Sequence, residues 1–115
     1  MAKGLSKTQQ ELMDKAHRDI DRARNSQDIV EWYRTCVSDT RIRELSHEDL
    51  AKELEKDNDY FHGYWKKHYE ELLSGIVHTN ANGRSLYRLQ ELGLIEIIED
   101  STHTFMYDTV KILNY

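Results

Sequence analysis

The chain contains no proline and only five glycines in 115 residues. No helix can therefore be ended by an imide ring, and helix limits must be set by side-chain caps and left-handed glycines. A single cysteine, Cys36, excludes an intrachain disulfide and makes a cysteine-based zinc site a poor expectation. Its apolar neighbours Val30, Trp32, Tyr33 and Val37 suit a buried structural thiol. No stretch approaches the roughly 18 apolar residues that span a bilayer. The opening MAKGLSKTQQ also lacks the apolar core of a secretory signal. These absences predict a cytoplasmic protein with no membrane partner. An excess of positive charge is missing too: the net charge is −5. Residues 1–45 hold nine Lys/Arg against eight Asp/Glu, and residues 46–115 hold seven against thirteen. Phosphate backbones are bound by clustered Lys and Arg, so this balance opposes general affinity for nucleic acid while leaving room for a local basic patch.

What is present is helical periodicity. Ser6 followed by Gln9 matches a capping box, and Leu12, Met13, Ala16, Ile20 and Ala23 then recur at three- and four-residue steps. Ser26 is expected to cap a second, short helix holding Ile29, Val30, Trp32, Tyr33 and Cys36. Residues 38–45 suit a connection. Ser46 caps a third helix with Leu50, Ala51 and Leu54 inward, ending at Asp57-Asn58-Asp59. Residues 60–73 form the most apolar helix. Phe61, Trp65, His68 and Leu72 make one stripe, and Tyr60, Tyr64, Tyr69 and Leu73 widen it. A face that broad belongs to the core, or to the core plus a dimer contact. Gly63 within that helix is expected to permit close packing.

After Gly75, Ile76 and Val77 are β-branched and buried in character, followed by a polar turn at His78-Thr79-Asn80. A helix over about 82–92 turns Leu86, Leu89 and Leu92 inward, and Gly93 is placed to be its left-handed cap, with Leu94 beyond it. Two strands, 94–99 and 105–113, then form a hairpin. The expected fold is α+β and mostly α: N-terminal helices, a three-helix core and a C-terminal two-stranded β-hairpin. It is one domain over 1–115, with a helical arm at 1–45 and a second module at 46–115.

The words EELLSG, then NGRSLYRLQELGLIEIIED, then YDTVKILNY resemble the second helix, recognition helix and wing of winged-helix proteins. They also resemble small uncharacterised proteins of phages and prophages of Gram-positive bacteria. The winged-helix resemblance implies that the helix after Gly75 enters the major groove of double-stranded DNA. The matching positions are Asn80, Asn82, Arg84, Ser85, Tyr87 and Arg88. Arg bonds guanine bidentately and Asn bonds adenine, so the residue types suit base edges. A bland alternative keeps Asn82 as a helix cap and Arg84 and Arg88 as a solvated face.

The wing departs from the DNA-binding pattern, offering Glu96, Glu99, Asp100 and Asp108 where phosphates would want Lys or Arg. Those acids support a different expectation, a factor that binds a basic protein surface, such as an inhibitor of a host nucleic-acid-binding or defence protein.

No sequence signature of catalysis is found. There is no phosphate-cradling glycine loop, no H-E-x-x-H and no G-x-S-x-G. The six histidines lack metal-ligand spacing, and His62 and His68 fall on different helical faces. The adjacent acids Glu70-Glu71 and Glu99-Asp100 diverge and make poor acid/base pairs. The expectation is a non-enzymatic binding protein, with no cofactor and no metal, for which a homodimer is one option: a small DNA-binding regulator or, in the alternative, an acidic protein-binding factor.

Overall fold

The computed structural model describes residues 5–79, 83–99 and 108–113. The element order is α1 (Lys7–Asn25), α2 (Ile29–Cys36), α3 (Thr40–Arg43), α4 (His47–Tyr60), α5 (Tyr64–Leu73), β1 (Ile76–Thr79), α6 (Gly83–Glu91), β2 (Ile95–Glu99) and β3 (Asp108–Ile112). The fold is α+β and mostly α, as the periodicity implies. The expected hairpin is a three-stranded antiparallel sheet of order β1-β3-β2, because Ile76–Thr79 pair with the outer edge of β3. Two compact units are formed. One comprises Met1–Ile20 with Ser74–Tyr115, the other Asp21–Leu73, so the boundaries fall inside α1 and after α5.

In the first unit the capping box closes as its residue types require. Ser6 N–H donates to Gln9 Oε1 at 2.8 Å, and Gln9 N–H donates to Ser6 Oγ at 3.1 Å. Gln9 is buried, and its Nε2 also donates to the Ser85 carbonyl at 3.3 Å, which ties α1 to α6. The core is aliphatic: Met13, Ala16, Ile20, Val77, Leu86, Leu89, Ile95, Val110 and Ile112. Helix α6 ends as a Schellman motif. Gly93 has φ +76°, its N–H donates to the Gln90 carbonyl at 2.9 Å, and Leu94 N–H reaches the Leu89 carbonyl at 3.0 Å. Gln90 Oε1 then accepts from Ile97 N–H at 2.9 Å and pins α6 to β2.

The second unit is built on rings. Trp32 is buried, with Trp65, His68 and Tyr69 centred 5.9, 5.7 and 5.2 Å away. Tyr33 meets Trp65 edge-on at 5.0 Å and packs with Leu50 and Leu54. The Tyr33 hydroxyl donates to Asp57 Oδ2. Burial first, and then the Asp57 carboxylate, raise the Tyr33 pKa well above the ordinary phenol value. The indole N–H groups of Trp32 and Trp65 are buried without a hydrogen-bond acceptor among the described residues.

Several local expectations change in this unit. Helix α2 is capped by Asp28, which accepts from Glu31 N–H at 3.0 Å, and not by Ser26, whose hydroxyl donates back to the Arg22 carbonyl at 2.6 Å. Glu31 N–H first, and then His47, hold the Asp28 carboxyl below its usual range. Residues 40–43 of the supposed connection form the short α3, capped by Asp39. Arg34 Nη1 donates to the Arg43 and Leu45 carbonyls at 2.5 and 2.7 Å, closing the end of that turn. Ser46 does cap α4, accepting from Asp49 N–H at 3.2 Å. Gly63 is not inside a helix. It lies in the turn between α4 and α5 at φ +85° with nothing within 4 Å of a built Cβ, so left-handed backbone, and not close packing, requires it. Phe61, read as part of the core stripe, and Tyr60, Tyr64 and Leu73, read as widening it, are exposed. Cys36 is half-buried rather than fully enclosed.

Candidate functional site

The residues that the sequence nominates lie in the unit formed by Met1–Ile20 and Ser74–Tyr115. Helix α6 is strongly two-sided. Leu86 and Leu89 are 1% and 0% exposed, so the inner face is locked against the sheet. Arg84, Tyr87 and Arg88 are exposed on the outer face, at i, i+3 and i+4, which brings their side chains into one row. Arg88 Nη1 lies 3.5 Å from Glu91 Oε2, one turn further on; at such exposure this pair is a weak tether. Ser85 is half-buried and its carbonyl is taken by Gln9, so it belongs to the seam between α1 and α6. Asn80 and Asn82 lie outside the described residues.

The four acids nominated for protein binding do not form one described surface. Asp108 is 5% exposed and opens β3 opposite Thr79, so it belongs to the interior. Glu96 is exposed but sits across the sheet from Lys111, a cross-strand pair of opposite charge. Glu99 ends β2, and nothing is described of its side chain; Asp100 lies outside the described residues. Ile76 and Val77, read as β-branched and buried, and His78 and Thr79, read as the start of a polar turn, together form β1 and pair with β3 from Thr79↔Asp108 to Ile76↔Lys111. A strand thus lies between α5 and α6 in the chain.

The charge balance also differs between units. Met1–Ile20 with Ser74–Tyr115 carries seven Lys/Arg against eight Asp/Glu, whereas Asp21–Leu73 carries nine against thirteen. The acid excess therefore sits with the helical unit, away from α6 in sequence. That unit has a groove of about 670 Å³ with Ile29, Leu54 and Tyr69 in its lining and Asp28, Glu55 and Lys66 among its charged residues. None of the sequence-nominated residues lines it. Within neither unit do three metal-ligating side chains converge among the described residues.

Sequence reasoning missed the exposed aromatic corner at Tyr60, Phe61 and Tyr64. The usable signal was His62-Gly63: a glycine beside a residue tolerant of left-handed backbone marks a turn, and a turn shifts the phase of the following helix. Among the described residues, no helix is long and apolar enough to cross a membrane. Compared with protein-family models, with curated proteins and with solved structures, the chain finds no match.

Proposed function

We propose that the protein is a small non-enzymatic DNA-binding regulator, of the phage or prophage type, that lays the outer face of α6 against double-stranded DNA. The observation that carries this reading is the row Arg84, Tyr87 and Arg88, displayed on a helix whose opposite face is immobilised by Leu86 and Leu89. Two guanidinium groups one turn apart can each engage a phosphate, or a guanine edge bidentately, and a tyrosine between them can donate to a phosphate oxygen or cover a sugar. The electrostatic objection raised by the acidic wing is reduced. Asp108 is buried, and Glu96 faces Lys111. The near-neutral charge of the α6 unit leaves the two arginines a local role rather than a share in a general basic field.

A second reading, an acidic factor that binds a basic protein surface, is favoured by the thirteen carboxylates of Asp21–Leu73 and not by the wing. One titration separates the two. Binding of a mixed duplex pool, followed by fluorescence anisotropy across a salt series, should be saturable and should weaken with salt. Arg84→Ala with Arg88→Ala should lower the affinity at least about tenfold and reduce the salt slope by about one per lost phosphate contact. Unchanged affinity in that double variant would overturn the site. No binding at low salt would overturn the DNA reading and favour a protein partner.

A further inference from the structure

We propose that the corner between α4 and α5 is the surface through which two copies of this chain associate. Tyr60 is 77% exposed, Phe61 51% and Tyr64 51%, so three aromatic rings within five residues face solvent. Scattered apolar residues on a surface need no explanation, but contiguous large ones mark interaction sites. Here the Tyr60 and Phe61 rings meet edge-on at 4.8 Å, and the turn places Tyr64 beside them in the chain: its N–H donates to the Phe61 carbonyl at 3.2 Å, while its ring stacks on His68 at 5.6 Å and 14°.

The backbone holds this display in place. His62 adopts φ +56°, a left-handed conformation uncommon in a residue with a side chain, followed by Gly63 at φ +85°. Phe61 N–H donates to the Asp57 carbonyl at 3.0 Å and Gly63 N–H to the Asn58 carbonyl at 2.7 Å, while Asn58 Oδ1 accepts from Lys66 N–H at 3.1 Å. A corner closed from both helices turns Tyr60 and Phe61 outward instead of fraying.

Charge selects the occupant. A phosphate backbone or an anionic membrane wants a net positive surround, and the unit Asp21–Leu73 has thirteen acids to nine bases. The corner itself carries both signs. Asp59 and Lys67 are exposed, and neither has a salt-bridge partner among the described residues. A patch with both signs beside an apolar centre is self-complementary under a two-fold axis, which sets Asp59 of one copy against Lys67 of the other. The three rings supply roughly 350 Å² per copy, under half of a standard interface, so the association is weak and concentration-dependent.

Sedimentation velocity of the full chain from about 5 µM to about 500 µM should show reversible dimer formation over that range. Tyr60→Ser with Phe61→Ser should weaken association at least about tenfold, because both side chains are exposed and the far-UV spectrum should not change. Lys67→Asp alone and Asp59→Lys alone should each weaken it, and the two together should restore it. A wild type that stays monomeric at the highest concentration would overturn the proposal, as would a Tyr60/Phe61 variant that dimerises like wild type. Binding of a thymine oligonucleotide or of phosphatidylglycerol vesicles that is lost in that variant, without self-association in the wild type, would also overturn it and reassign the surface.

Discussion

The unit Asp21–Leu73 and the unit of Met1–Ile20 with Ser74–Tyr115 solve the same packing problem with different materials. The helical unit centres on Trp32, with Trp65, His68 and Tyr69 around it and Tyr33 alongside. Its specificity resides in side chains that clamp distant groups: Tyr33 on Asp57, Arg34 on the carbonyls of Arg43 and Leu45, and Arg24 on the Leu73 carbonyl at 3.3 Å. Among the described residues, the sheet unit has an aliphatic hydrophobic core and lets backbone ladders fix register, with a Gln at each seam, Gln9 to Ser85 and Gln90 to Ile97. A helical unit has no ladder between its elements, so geometry must come from ring faces and charged hydrogen bonds. A sheet receives that geometry from its main chain.

The largest test of this difference is to remove one central side chain from each core. Trp32→Ala should cost about 3–5 kcal/mol, because Trp32 is 1% exposed and three rings lose a partner together. Leu89→Ala should cost about 2–5 kcal/mol by cavity formation alone. In urea unfolding, loss of Trp32 should also abolish the near-ultraviolet dichroism of the ring cluster, whereas loss of Leu89 should leave it. A Trp32 variant as stable as wild type would remove the ring-centred account of this unit.

A smaller effect separates side-chain clamps from backbone ladders by pH. The Tyr33 pKa is raised in the folded chain, so its contribution is fully present below the unfolded phenol value of about 10 and is lost as pH rises through the higher folded value. Alkaline stability should therefore decline above pH of about 10, and Tyr33→Phe should flatten that decline while costing about 1–3 kcal/mol at neutral pH. An identical alkaline profile in Tyr33→Phe would show that the clamp on Asp57 contributes nothing to it.

The same contrast explains what could be read in the sequence. Ser6 with Gln9, Ser46 with Asp49, and Gly93 with Leu94 are local devices, complete within a few residues, and each closes as its residue types require. The strand Ile76–Thr79 was not legible as a strand because its partner, β3, begins at Asp108, and only that distant pairing turns a short β-branched run into sheet. The Tyr60–Leu73 stripe misled for a related reason. Two consecutive left-handed residues, His62 and Gly63, break the helical phase, and Tyr60 and Phe61 lie outside the face assigned to them. At the α6 surface, the exposed row was legible because Leu86 and Leu89 set the phase. The burial of Asp108 was not, since a carboxylate at a strand start reads as solvated until its surroundings are known.

The smallest expected effect compares left-handed positions across the two units. Gly93 closes α6 at φ +76°, and His62 holds the α4–α5 corner at φ +56°. Nothing lies within 4 Å of a Cβ built on Gly93, so Gly93→Ala meets no steric neighbour, and its cost isolates the backbone at about 1 kcal/mol. His62→Gly removes the corresponding penalty, but glycine also loses more conformational freedom on folding. The net gain should be no more than a few tenths of a kcal/mol, roughly the difference between the two. Thermal unfolding of both variants measures this directly. If Gly93→Ala proves neutral, the Schellman end of α6 is not set by its glycine; if His62→Gly destabilises by more than about 1 kcal/mol, the imidazole itself holds the corner, through contacts beyond its backbone conformation.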